Sequence, residues 1–152
     1  MKLNIVLWSV RGSNKIEKRT KVKNQLRGWK ADVACLQEMK MELISLTIIR
    51  SLWNCCHVGW SYLLSKGASR GILVTWDKRV VKKTDECVGN YMVAISFKNV
   101  EDGYQWSFTG VYGPNSNTER RGLWDELAGL CSLCSFPWCI GGDFNVTCFP
   151  SK

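Results

Sequence analysis

Four short apolar runs in this chain break off on polar side chains, and that pattern restricts the fold more than any other feature. Residues 3–10 carry Ser9 near their end, residues 32–37 run straight into Glu38, residues 104–112 close on Tyr112, and residues 137–140 lead into Gly141-Gly142-Asp143-Phe144-Asn145. Runs this short suit buried strands better than helices. A strand that buries its body and releases a polar group at its C-terminal end is a common way to build a site, so these four ends are expected to converge on one rim.

The intervening segments complete the pattern. Asn14 and Glu17 have capping-box spacing ahead of a helix to about Trp29, with Val22, Leu26 and Trp29 as its buried stripe. A second helix is expected over residues 42–53, then strands over 58–64, 71–76, 91–97 and 104–112. In the last of these Tyr104, Trp106 and Phe108 alternate with Gln105, Ser107 and Thr109, a half-buried strand whose aromatic face needs a helix or second sheet over it. Ser116 and Glu119 repeat the capping-box spacing before a helix to about Leu133. Helices flanking a strand-rich middle predict an α/β (α+β) chain with mixed sheets, and 152 residues without a linker or repeat predict one domain.

Charge and cysteine usage narrow the setting. The formal charge is +8, and residues 1–50 hold eleven Lys and Arg against four acids. A basic first third suits a polyanionic partner, although Lys15, Lys18, Arg19, Lys21, Lys23, Arg27 and Lys30 on one helix also read as a solvated surface. No run approaches the roughly 18 apolar residues of a membrane span, and the first residues lack a signal peptide's pattern. A soluble, intracellular chain is expected, with no membrane partner and with its eight cysteines reduced and mostly in the core. Cys131, Cys134 and Cys139 contain part of a zinc pattern, but the second pair is missing, and their spacing beside Leu123, Leu127 and Leu130 favours packing.

The richest segment is Gly142-Asp143-Phe144-Asn145. Glycines let a phosphate or metal approach the backbone, and an acid and an amide at i and i+2 combine a charged oxygen ligand with a neutral hydrogen-bonding group. A plain turn has the same composition, so the segment gains meaning from its company.

That company is Trp8-Ser9-Val10-Arg11-Gly12, Leu36-Gln37-Glu38, Ser69-Arg70-Gly71-Ile72, Val111-Tyr112-Gly113-Pro114 and Gly142-Asp143-Phe144-Asn145, in this order. The series resembles the endonuclease/exonuclease/phosphatase superfamily over nearly the whole chain. Tyr112-Gly113-Pro114 leading into Glu119-Arg120-Arg121 and Leu123-Trp124 is similar to the apurinic-endonuclease-like domain of plant non-LTR (LINE) retrotransposons. The resemblance implies a four-layer α/β/β/α sandwich. It also implies Mg²⁺ (or Mn²⁺) as cofactor with Glu38 as ligand, Tyr112 and Asn145 contacting the scissile phosphate, Asp143 orienting the attacking water, DNA as partner and nuclear residence.

Two departures temper that expectation. Ser9 stands where the family has an asparagine near the metal, and serine lacks the amide. The family's C-terminal Ser-Asp-His motif has no counterpart, so the chain is expected to be an N-terminal fragment, a partial sandwich without activity of its own. The sole histidine, His57, does not match the missing position. The alternatives are a non-catalytic nucleic-acid-binding remnant, using the helix from Lys15 to Lys30, or a relative that hydrolyses phosphoinositides, sphingomyelin or nucleotide-tail phosphodiesters. No oligomeric state follows from these residues.

Overall fold

A strand whose two faces are both apolar must lie inside a layered structure, and the second strand of this chain shows where. In the computed structural model, which describes residues 3–10, 15–39, 44–53, 56–63, 71–112, 117–133 and 137–143, β2 (Val33–Gln37) is buried at every position. It lies between β1 (Ile5–Ser9), to which it is parallel, and β4 (Ile72–Asp77), to which it is antiparallel. With β3 (Val58–Leu63) the first sheet has the order β1-β2-β4-β3. The second sheet, β5-β6-β7-β8, comprises β5 (Val81–Val88), β6 (Met92–Asn99), β7 (Gln105–Tyr112) and β8 (Trp138–Asp143). Among the described residues its one parallel pair is β7 with β8. A parallel pair needs a crossover, and helices supply it: α1 (Ile16–Gly28) joins β1 to β2, and α3 (Asn117–Leu133) joins β7 to β8.

Period-2 alternation sorts the side chains into layers. Val33, Cys35, Ile72, Val74 and Trp76 of the first sheet meet Val93, Ile95, Phe97, Trp106 and Phe108 of the second in an inter-sheet core. On the outer face of the first sheet, Ala34, Leu36 and Leu73 pack with Val22 and Leu26 of α1 and with Ile49 and Leu52 of α2 (Leu46–Leu52). On the outer face of the second, Met92 and Val111 pack with Leu123 and Leu127 of α3. The architecture is thus α/β/β/α with two mixed sheets, as the resemblance implied. The aromatic face of β7 is covered by a sheet rather than a helix.

Several expectations need correction. Strand β5 falls where only a polar connection was expected. α1 starts after Lys15, whose side chain makes no capping bond, while Asn14 and Ser116 lie outside the described residues. Its stripe buries Val22 and Leu26, but Trp29 is 46% exposed and meets Trp8 edge-on, with ring centroids 5.4 Å apart. α2 is shorter than expected because Ser45 caps it, accepting the Ile48 N–H at 3.3 Å. Of the cysteines described, only Cys35 is buried; Cys56, Cys87, Cys131 and Cys139 are exposed, so Cys131 leaves the packed stripe of α3. No helix among the described residues is long and apolar enough to cross a membrane.

Candidate active site at the strand ends

The alternation that builds the inter-sheet core also determines what stands at its edge. On β1 the inward row is Ile5, Leu7, Ser9; on β2 it is Val33, Cys35, Gln37; on β7 it is Trp106, Phe108, Gly110, Tyr112. Each row is apolar until its last member, which is polar. Ser9 pairs with Gln37 in the parallel register, and Tyr112 pairs with Asp143. The C-terminal ends of β1, β2, β7 and β8 therefore share one rim, which the N-terminal end of β4 joins through the pairing of Gln37 with Ile72.

Three short approaches hold the sheets together there. A Cβ on Gly141 would lie 2.6 Å from Leu7, one on Gly110 would lie 2.8 Å from the Cys35 sulfur, and one on Gly142 would lie 2.4 Å from both Gln37 Nε2 and the Val111 carbonyl oxygen. Gly142 also has φ +141°, a conformation that a side chain opposes. Bare backbone at these positions lets Gln37 Nε2 cross the sandwich and donate to the Val111 carbonyl at 2.9 Å, a buried bond between the two sheets next to Tyr112.

Glu38 follows directly. Its φ is +54°, rare for a residue with a side chain, and its neighbours hold it on both sides: the Val10 N–H donates to the Gln37 carbonyl at 3.0 Å, and the Met39 N–H to the Gly71 carbonyl at 3.1 Å. In this conformation the Ser9 hydroxyl donates to Glu38 Oε2. Serine at position 9 thus keeps a direct contact with the carboxylate despite lacking an amide. Tyr112 is fixed through its own backbone, its N–H donating to the Tyr91 carbonyl at 2.8 Å. The Glu126 carboxylate of α3 in turn accepts the Asn90 and Tyr91 N–H groups at 2.7 and 3.1 Å.

Of the residues singled out from sequence, Ser9 and Glu38 are brought into contact, Tyr112 ends the neighbouring inward row, and the Asp143 backbone lies beside Tyr112 in register. Asn145 lies outside the described residues. His57 is on the opposite rim: it precedes Val58, which pairs with Asp77, and its carbonyl accepts the Lys78 N–H at 2.8 Å. The bridging role of Gln37 was missed, although an amide closing an otherwise apolar buried strand must find a partner and was the available signal.

Chemically, the rim offers oxygen donors. No group of three His, Cys, Asp or Glu side chains capable of holding a metal occurs among the described residues. The carboxylate of Glu38 with the hydroxyl of Ser9 still fits Mg²⁺, which takes one or two protein carboxylates and keeps several waters. Cys35, a buried thiol on β2 near this rim, is pushed up to about 12 by burial, which disfavours the thiolate that a soft metal would need.

The model of the Endonuclease/Exonuclease/phosphatase family matches residues 6–151. No curated protein sequence matches the chain. Among solved structures, the catalytic domain of human Nocturnin is similar at TM-score 0.66 and 14% identity, covering 95% of this chain and 64% of that one. A mannosyl-6-phosphatase from Bacteroides thetaiotaomicron is similar at TM-score 0.72 and 11% identity, covering 95% and 66%. An AP endonuclease from Leishmania major is similar at TM-score 0.71 and 15% identity, covering 95% and 55%. The chain spans less than two thirds of the length of each. At these identities the likeness is one of fold.

Proposed function

We propose a function from one premise, that this chain belongs to the endonuclease/exonuclease/phosphatase family: it is a Mg²⁺-dependent phosphodiesterase domain directed at DNA, of the endonuclease type carried by retrotransposons. The observation that carries this reading is the Ser9 to Glu38 hydrogen bond on the rim where Tyr112 and Asp143 also end their strands. The similarity to an AP endonuclease and the charge of +8 support DNA as the substrate. The run from Tyr112-Gly113-Pro114 to Leu123-Trp124 supports the retrotransposon type.

A phosphodiester is anionic and repels an incoming hydroxide, so its hydrolysis needs positive charge and a positioned water. Bound Mg²⁺ supplies that charge. Glu38 would hold the ion, and its bond from Ser9 selects one carboxylate orientation. Tyr112 would donate to a phosphoryl oxygen without adding charge, and Asp143 would orient the water; Asn145 would contact the phosphate. The one histidine of the sequence is on the far rim from these groups. The 152 residues alone are therefore expected to bind metal and DNA with little turnover.

Mg²⁺ titrated calorimetrically into wild-type and Glu38→Gln protein, with nicking of supercoiled DNA on the same samples, tests this. Binding that disappears in Glu38→Gln, with weak or no nicking, is the expected result. Equal Mg²⁺ binding by both proteins would remove Glu38 from the site, and vigorous wild-type nicking would overturn the expectation of low turnover. A second reading, binding without catalysis, is favoured by the exposed Lys21 and Arg27 on α1 and Lys15 and Lys30 at its two ends; it requires salt-sensitive DNA binding that EDTA leaves intact.

A further inference from the structure

Basic side chains at a helix C-terminus ordinarily serve its last carbonyls, but at the end of α1 the main chain already does so. The Trp29, Lys30 and Ala31 N–H groups donate to the Gln25, Arg27 and Leu26 carbonyls at 3.0, 3.1 and 3.2 Å. This closure needs a left-handed residue, and Lys30 supplies it at φ +53°, in a position that favours glycine. The Lys30 carbonyl also accepts Asn4 Nδ2 at 3.1 Å, which fixes this turn to the start of the first strand. Asp32, the nearest acid in sequence, is engaged by the Asn4 N–H at 2.9 Å.

Beside this turn a pocket of about 120 Å³ lies between α1 and Trp53, the C-cap of α2. Leu26, Ala31 and Trp53, all in or against the outer core cluster, give it an apolar floor, and Lys23, Arg27 and Lys30 complete its lining. Leu26 is buried, and Lys23, Ala31 and Trp53 are partly buried, so the floor is packed. No acid lines the pocket among the described residues, and the ion pairs found there, Arg79 with Asp77 and Lys83 with Glu86, involve none of the three cations. Two helix ends contribute about half a negative charge each, so three cations leave the pocket at about +2. Lys23 and Arg27 stand at i and i+4, a like-charge spacing that opposes helix stability. A merely solvated face is better served by mixed signs, yet from Lys15 to Lys30 there are seven cations and one acid, Glu17.

We propose that this pocket binds a phosphate monoester, with Lys23, Arg27 and Lys30 on its three free oxygens and Leu26 and Trp53 beneath. The space would hold about four waters, which suits one tetrahedral phosphate and not a base with its sugar. A dianion matches the net charge of the pocket; a carboxylate or a phosphodiester brings one negative charge and fewer free oxygens. The ligand is either a small phosphorylated compound or the terminal phosphate of a nucleic-acid strand. Ala31 precedes β2 and Glu38 follows it, so the site is apart from the candidate active site and independent of the hydrolytic reading.

The test is thermal unfolding in inorganic phosphate against chloride of equal ionic strength, with EDTA present, since a ligand of the folded state raises the midpoint as it binds. Phosphate is expected to raise it specifically, and replacing Lys23, Arg27 and Lys30 together by Gln to weaken the derived affinity at least about tenfold. Replacing Lys15, Lys18 and Lys21 by Gln removes the same charge from the same helix and is expected to leave the effect intact. Lys30→Gly separates folding from binding: it relieves the left-handed conformation, so the protein alone should be more stable while phosphate binds more weakly. A 5′-phosphorylated oligothymidylate that binds better than its 5′-hydroxyl form, with the advantage lost in the pocket variant, would support the site and identify a strand end as the ligand. Equal binding of the two, with free phosphate still bound, would support the site and identify a small compound. No specific phosphate effect, equal losses in the two triple variants, or dimethyl phosphate acting as strongly as phosphate would overturn the proposal.

Discussion

At the residue scale, the site depends on three backbone gaps and one amide. Gly142 has a φ that opposes a side chain and no room for one, so Gly142→Ala must displace Gln37 or the Val111 carbonyl. A loss of about 2 kcal/mol or more is expected, read as a lower urea midpoint. Gln37→Leu leaves the Val111 carbonyl buried without its side-chain donor and is expected to cost about 1–3 kcal/mol. Full stability in both variants would mean that the sheets are not locked at this rim. Cys35 offers a test by pH. Its thiol is raised from 9.0 to about 12 by burial, so the folded protein holds that proton where the unfolded chain releases it. Stability is unaffected by this group below pH 9 and then falls, by about 1.4 kcal/mol per pH unit, until the folded thiol itself ionises near 12. Cys35→Ser or Cys35→Ala should flatten that alkaline limb in pH-dependent unfolding, and an unchanged limb would assign it to other groups. The positions of Glu38 and Tyr112 at strand ends could be read from sequence because each closes an apolar run. The partner of Gln37 could not, because it lies 74 residues away on the other sheet.

At the element scale, strands with alternating or unbroken apolar residues were recognisable, and β5 was not. Its residues after Val81 are all exposed, and its register slips between Lys83 and Asp85, so no period-2 signal survives. What keeps β5 in place is β6 beside it and a contact from a distant helix: Glu126 of α3 accepts two backbone N–H groups at the turn between these strands, at Asn90 and Tyr91. Nothing in the turn's own sequence announces that carboxylate. Glu126→Ala is expected to cost about 1–2 kcal/mol, reduced from the buried value because the side chain is partly exposed. Its more specific signature is faster hydrogen exchange at the Asn90, Tyr91 and Tyr112 amides, since the Tyr91 carbonyl receives the Tyr112 N–H. If stability falls while those three amides keep their protection, Glu126 supports α3 alone and has no part in placing Tyr112.

At the scale of the whole molecule, the four layers make each sheet answerable to two cores. The first sheet packs against α1 and α2 on one face and against the second sheet on the other, and the second sheet is likewise shared between α3 and the inter-sheet core. Layer order could be anticipated from sequence through the resemblance, whereas which strand faces which required the glycines at 110, 141 and 142 to be seen against their neighbours. Neither sheet can leave without exposing Phe97, Phe108 and the row Val33, Cys35 to water, so the described layers should unfold together. Trp76 and Trp106 report the inter-sheet layer and lie close to the same ring, Phe97, with Trp106 centred 5.1 Å from it and Trp76 5.2 Å. Tryptophan fluorescence and far-ultraviolet circular dichroism should therefore give coincident urea transitions, and Gln37→Leu should shift both equally. Two separated transitions, with helical signal persisting after the indoles reach water, would show that the outer layers hold without the inter-sheet core and that the rim is assembled last.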